Sequence, residues 1–197
     1  MKNPWRTLGS RVVYENRWIR VREDRVLRPD RGEGVYGVVE IRPSVGVVAI
    51  NGRDEIVLVG QWRYPHGKYT WEIPRGGSHE GETGMLEVAR RELREEAGVE
   101  ARHWEPLGET DVNNGVTTDT EHLYLATDLT PAPMEHDPEE QITVRWVPFA
   151  RALEMALGGE FPECCTALAI LKVGMMRKRR GNVLKSRRPG SIVSNLP

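Results

Sequence analysis

Gly76-Gly77-Ser78-His79-Glu80-Gly81-Glu82, followed by Thr83-Gly84-Met85-Leu86-Glu87-Val88-Ala89-Arg90-Arg91-Glu92-Leu93-Arg94-Glu95-Glu96-Ala97-Gly98-Val99, passes from a glycine-rich polar loop into the strongest helical signal of the chain. At about 100° per residue, Leu86, Ala89, Leu93 and Ala97 fall on one narrow stripe, the face that a helix over 83–97 would bury. Gly98 stops it, because helices commonly end in a left-handed residue, which glycine adopts without strain. Glu92, Glu95 and Glu96 share an arc beside the apolar stripe, and Arg90, Arg91 and Arg94 take the other flank.

Glu87 with Arg91, and Arg91 with Glu95, fit the i,i+4 pairing of an ordinary solvated surface helix. Glu92 fits it badly, since Glu95 and Glu96 each repel it by about 0.2–0.5 kcal/mol. Three carboxylates converging beside a core stripe make better sense around a divalent cation. Mg2+ and Mn2+ take hard oxygen ligands, and Mg2+ usually shares its shell between carboxylates, waters and substrate phosphates. The glycines ahead of the helix let backbone approach such a site closely.

Together these residues resemble the Nudix box, G-x5-E-x7-R-E-U-x-E-E-x-G-U with U a bulky aliphatic. The second half, Arg91 to Val99, matches at every defined position. The first half departs by one residue: six forward from Gly76 is Glu82, whereas eight back from Arg91 is Thr83. One extra residue at Gly84 or Met85 is the simplest account, and it bears on the local role of Glu82 rather than on the metal-binding face.

The resemblance implies an α+β chain with the Nudix α/β/α sandwich, hydrolysing a nucleoside diphosphate linked to another moiety by attack of water on phosphorus. It places metal ligands at Glu92, Glu95, Glu96 and the backbone carbonyl of Gly76, for Mg2+ as cofactor, with Mn2+ the alternative. It counts Arg91, which would hold the glutamates, and Glu92 among the catalytic residues.

Outward from the box, Val57-Leu58-Val59-Gly60-Gln61-Trp62-Arg63-Tyr64-Pro65 and Thr70-Trp71-Glu72-Ile73-Pro74 look like the lead-in of the ADP-ribose pyrophosphatase branch. Gly115-Val116-Thr117-Thr118-Asp119 and Val144-Arg145-Trp146-Val147-Pro148 look similar to it as well. That branch implies an extra N-terminal antiparallel sheet that builds a homodimer and helps form the substrate cleft. It implies a substrate-binding Arg63, with Trp62 and Glu72 beside it; a solvated strand-end arginine, and tryptophans serving as core or dimer contacts, stay open as alternatives. The general base would be a glutamate on a late loop, Glu139 first and Glu140 second, unless both are solvated loop acids. Asn114 stands where the branch usually carries proline, which leaves ADP-ribose the leading candidate among related nucleotide sugars.

The rest of the chain is consistent with one compact domain of 197 residues. Period-two patterns predict strands over 11–14, 18–26, 35–41, 45–50, 56–61, 70–73, 107–110, 121–127 and 141–147, with a hairpin turn at Asn51-Gly52-Arg53-Asp54. Helices follow over 149–157 and 162–176. The organisation expected is an N-terminal extension at 1–42, a hydrolase domain at 43–176 and a basic, flexible tail at 177–197. The longest apolar run, 45–50, is far short of a membrane span, and the N-terminus lacks a signal-like apolar stretch. Cys164 and Cys165 are neighbours in a small, apolar segment and read as buried structure. A cytoplasmic setting is expected.

Charge is unevenly spread. Residues 172–197 hold eight basic side chains and no acid, leaving 20 basic against 29 acidic, a net of −9, on 1–171. The tail lacks interleaved aromatics, so a solvated tail is favoured over a nucleic-acid contact. Two further readings are weighed: a non-catalytic Nudix-fold module binding nucleotide or RNA, which would commonly lose the glutamates retained here, and a hydrolase sanitising nucleoside triphosphates, which would not need the N-terminal strands.

Overall fold

The computed structural model describes residues 2–82, 84–134 and 141–186, the side chains of 181–186 excepted. Three strands, β1 (Arg6–Glu15), β2 (Ile19–Leu27) and β3 (Glu33–Ile41), form an antiparallel sheet in that order. The remaining strands are β4 (Ser44–Ala49), β5 (Glu55–Arg63), β6 (Lys68–Glu72), β7 (Arg75–Gly77), β8 (Val99–Asp111), β9 (Thr120–Pro131) and β10 (Thr143–Pro148). They make two further sheets, ordered β7-β4-β9-β8 and β10-β5-β6, with β4 and β9 parallel. The helices are α1 (Met85–Ala97), α2 (Phe149–Leu157) and α3 (Cys164–Ser186).

Layering follows from strand alternation. On β4, Val45, Val47 and Ala49 join Val88, Ala89 and Leu93 of α1 in one core cluster. Val48, with Ile50 just beyond the strand, turns the other way and packs with Phe149 and Ala152 of α2 and Ala169, Ile170 and Val173 of α3. The apolar run 45–50 is therefore buried on both faces, as expected of a strand covered by helices on each side. The chain is an α+β protein with a helix–sheet–helix sandwich and an appended antiparallel sheet. The 113–118 loop ties that appendage down: Val39 N–H donates to Val116 O at 2.9 Å, and Thr118 N–H to Val39 O at 3.0 Å.

Several local expectations are corrected. The turn at residues 51–54 forms, with Asn51 N–H on Glu55 O at 2.9 Å, but β4 and β5 are not a hairpin. Both edges of β4 are taken by β7 and β9, and both edges of β5 by β10 and β6, leaving only an Ile50–Ile56 bridge between them. The loop expected after Pro74 begins as strand β7. β8 runs thirteen residues instead of four; its charged, Pro-containing sequence hides a strand that pairing with β9 supplies along most of its length. α1 begins at Met85 with Gly84 as N-cap, so the two positions offered for the extra box residue fall at the very start of the helix. Gly98 ends α1 at φ 64°, as its sequence position predicts.

α3 continues ten residues past Met176, so the first part of the basic segment is helical. Once its packed turns form, each added residue needs only one more hydrogen bond. Two of its arginines meet the acidic body, Arg177 on Asp54 at 2.6 Å and Arg180 on Glu105 at 2.7 Å. Residues 187–197 lie outside the described residues. Among the described residues, no helix is long and apolar enough to cross a membrane.

Candidate active site

Burying Leu93 and Ala89 against β4 turns the acidic arc of α1 toward β7, so that Glu92 and Glu96 are themselves buried. The two elements are in close register. A Cβ built on Gly76 would sit 2.2 Å from the Glu92 carboxyl carbon, so only glycine lets this carboxylate lie against the strand. Glu96 accepts the backbone N–H of Arg75 at 2.8 Å.

Arg91 organises the rest. Its Nη1 donates to Glu92 at 2.8 Å and to Glu95 at 3.0 Å, and its Nη2 to the carbonyl of Gly77 at 3.1 Å. Glu82, displaced by one residue in the sequence, still reaches Arg91 at 3.4 Å and accepts His79 N–H at 2.6 Å. That backbone bond, with Arg91, holds the Glu82 carboxyl below its usual pKa. Burial pulls the Arg91 pKa down, but Glu92, Glu95 and Glu82 outweigh it and keep the guanidinium charged.

Gly76, Gly77, Arg91, Glu92, Glu95 and Glu96 line part of a cleft of about 1340 Å³. The N-terminal sheet and its ends contribute Arg17, Trp18, Arg20 and Arg42 to the same cleft, together with the carboxylates Glu15 and Glu40. Carboxylates of α1 and guanidinium groups of the N-terminal extension thus share one cleft, with Ser78, His79 and Glu80 also in its lining. Arg17 stacks over the Trp18 ring at 3.8 Å, and Arg20 pairs with Glu15 at 2.5 Å. Such a cleft suits a ligand carrying several negative charges together with a cation: phosphate oxygens toward the arginines, metal toward the glutamates.

Beneath the carboxylates lies a buried ion network. Arg63 makes a two-pronged pair with Glu72, which also accepts the Thr70 hydroxyl at 2.7 Å. Burial pushes the Glu72 carboxyl up, but Arg63, Thr70 and Arg75 outweigh it, and its pKa is lowered. Glu121 bonds Arg75 yet has its pKa raised, chiefly by burial.

Of the residues expected from sequence, Gly76, Arg91, Glu92, Glu95 and Glu96 come together. Arg63 and Glu72 bind each other, Trp62 is exposed on β5, and none of the three is among the residues that line the cleft. Arginine and carboxylate from neighbouring strands pair across β5 and β6 because their bidentate geometry matches. Glu139 and Glu140 lie outside the described residues. Cys165 is buried but Cys164 is exposed, which corrects the expectation of a buried pair. Sequence reasoning missed Arg17, Trp18, Arg20, Arg42 and Arg75. Their signal was present only as arginine-rich strands of no defined spacing.

The residues fit a divalent ion: oxygen donors only, two of them buried, packed on a glycine whose side chain would occupy the cradle.

A family profile described as "NUDIX domain" matches residues 40–163, and one described as "Nucleoside diphosphate sugar hydrolase N-terminal domain" matches residues 5–39. An ADP-ribose pyrophosphatase of Mycobacterium tuberculosis is 32% identical over 175 residues, covering 87% of this chain and 84% of its own. A CMP-5'-(N-acetyl-N-hydroxy-3-aminopropyl)phosphonate hydrolase of Streptomyces rubellomurinus is 29% identical over 183 residues, 90% of this chain and 87% of its own. A solved structure described as an ADP compounds hydrolase shares the fold at a TM-score of 0.80 and 23% identity, covering 90% of this chain and 96% of that one.

Proposed function

Because the chain belongs to the Nudix hydrolase family, we propose that it cleaves the diphosphate linkage of ADP-ribose or a related nucleoside diphosphate sugar, with Mg2+ or Mn2+ required. The products would be a nucleoside monophosphate and a sugar phosphate. The observation that carries this reading is the one cleft lined by Glu92, Glu95 and Glu96 together with Arg17, Arg20 and Arg42. The relatives named for an ADP-sugar and for a CMP-phosphonate support a nucleotide joined to another group.

A divalent ion held by Glu92, Glu95, Glu96 and the Gly76 carbonyl would neutralise phosphate charge and acidify water. The chain's own groups do the rest. Arg91 keeps Glu92 and Glu95 aimed into the cleft, and the Arg75 N–H does so for Glu96. The arginines of the N-terminal sheet take phosphate oxygens, and Trp18 offers a flat face for a base. Water attacks one phosphorus, its proton passes to Glu139 (Glu140 is the second choice), and the bridging oxygen leaves on the other phosphate.

The exposed apolar side chains of the N-terminal sheet, Val12, Val13, Tyr14, Trp18 and Val35, support a homodimer closed through that sheet. On this reading 1–42 is a dimer- and cleft-forming extension to the hydrolase domain at 43–176. The complete glutamate set favours an enzyme over a non-catalytic binding module.

A substrate panel with Mg2+ and Mn2+, its products separated by chromatography, tests the reaction. Glu95→Gln and Glu96→Gln are expected to abolish metal-dependent hydrolysis with an unchanged circular dichroism spectrum. Near-normal turnover in both variants would sink the metal assignment. Glu139→Gln is expected to lower kcat more than it raises KM; if Glu140→Gln does so instead, the base moves by one residue.

A further inference from the structure

Arg75 faces two ways. Its backbone N–H points at the cleft and donates to Glu96. Its guanidinium, with only 18% of the side chain exposed, turns beneath the carboxylates. There Nη2 bonds Glu121, which is wholly buried on β9, while Nη1 lies 3.7 Å from Glu72 of β6 and 3.6 Å from Glu163. Glu163 in turn accepts the N–H groups of Cys165 at 2.8 Å and Thr166 at 2.6 Å, capping the start of α3. The Thr166 hydroxyl accepts Ile73 N–H at 3.2 Å, two residues before Arg75. One cation thus ties β7 to β9, β6 and α3.

β7 needs such anchorage. It is three residues long and pairs with β4 alone, through Ser44–Gly77, Val45–Gly76 and Gly46–Arg75. So short an edge strand is weakly fixed by its ladder, yet it carries the Gly76 carbonyl and the N–H that orients Glu96. Filling space under it would be done at lower cost by an apolar side chain, because burying charge carries a heavy desolvation penalty. A guanidinium offers what an apolar group lacks: a rigid fork that fixes carboxylates from three elements relative to one backbone.

We infer that Arg75 is a positioning residue for the divalent-ion site, setting Glu96 and the Gly76 carbonyl by clamping β7 from below. This rests on the metal reading of Glu92, Glu95 and Glu96 given above.

Arg75→Lys, Arg75→Met and Glu121→Gln test it, with Glu95→Gln as the reference. Three quantities are read: Mn2+ affinity of the substrate-free protein by electron paramagnetic resonance of free Mn2+, half-saturating Mg2+ in turnover, and thermal midpoint. Supporting groups around metal ligands typically contribute 10–100-fold in affinity, so Arg75→Met should weaken Mn2+ binding by about tenfold or more. Arg75→Lys should recover part of that loss. Glu121→Gln should shift it the same way, although Glu121 is buried and does not line the cleft. Substrate KM at saturating Mg2+ should barely change. If the folded variants bind Mn2+ like the parent and lose only thermal stability, Arg75 is merely structural and the inference is overturned. If Arg75→Met does not fold, the other two variants decide. Parental Mn2+ affinity in Glu95→Gln would instead overturn the metal reading itself.

Discussion

At Gly76 a single methyl group would collide with the Glu92 carboxylate, with all three of its carboxyl atoms within 2.4 Å of the added carbon. The Glu92 carboxylate, the group proposed to hold the ion, would have to shift to make room. Gly76→Ala is therefore expected to raise half-saturating Mg2+ by about tenfold, measured as turnover against Mg2+ concentration, with the fold retained. The arginines of the cleft should respond differently. On the proposed function Arg42→Ala or Arg20→Ala would remove a cation for phosphate, and hydrogen bonds to charged groups contribute about 1.5–3 kcal/mol. KM should rise on the order of tenfold or more while kcat holds.

Glu72 and Glu121, both on the Arg75 guanidinium, should have opposite pH signatures. The folded pKa of Glu72 is lowered, so its contribution is present above the unfolded value of about 4.3 and is lost as pH falls through the folded one. The folded pKa of Glu121 is raised, so its contribution is present below that unfolded value and is lost as pH rises through the folded one. Urea unfolding across pH 3–7 checks both signs. Glu72→Gln should flatten the acid limb, whereas Glu121→Gln should remove a decline that sets in above about pH 4.

At the scale of elements, α1 was legible because its signal is local. The 3.6-residue period sorts Leu93 from Glu92 whatever the helix packs on, and the structure adds only what covers each face. β7 and β8 were not legible. A three-residue strand of Arg75, Gly76 and Gly77 carries no periodicity, and β8 alternates poorly because much of it is exposed at a sheet edge. The apparent β4–β5 hairpin failed for a related reason. A tight turn dictates where the chain reverses, but the free edges of each strand decide what it pairs with.

For the molecule as a whole, the acidic body and basic C-terminal segment partly answer each other. Arg177 and Arg180 on α3 reach Asp54 and Glu105, acids more than seventy residues away in sequence. The apolar side chains exposed on the N-terminal sheet make the proposed dimer testable. Sedimentation is expected to show a dimer, and Val35→Glu on β3 should shift it toward monomer with loss of activity. A monomeric parent of full activity would sink the dimer.

Sequence alone determined that the glutamates, Arg91 and the glycine they pack on come together, because all lie within one loop and one helix, where spacing dictates geometry. Tertiary structure decided what else lines the site and what holds it. Arg17, Arg20 and Arg42 reach the same cleft from the N-terminal extension, Arg63 is drawn to Glu72 instead, and Arg75 gathers carboxylates from three segments distant from one another. Those meetings depend on strand pairing between distant segments, and no local period encodes them.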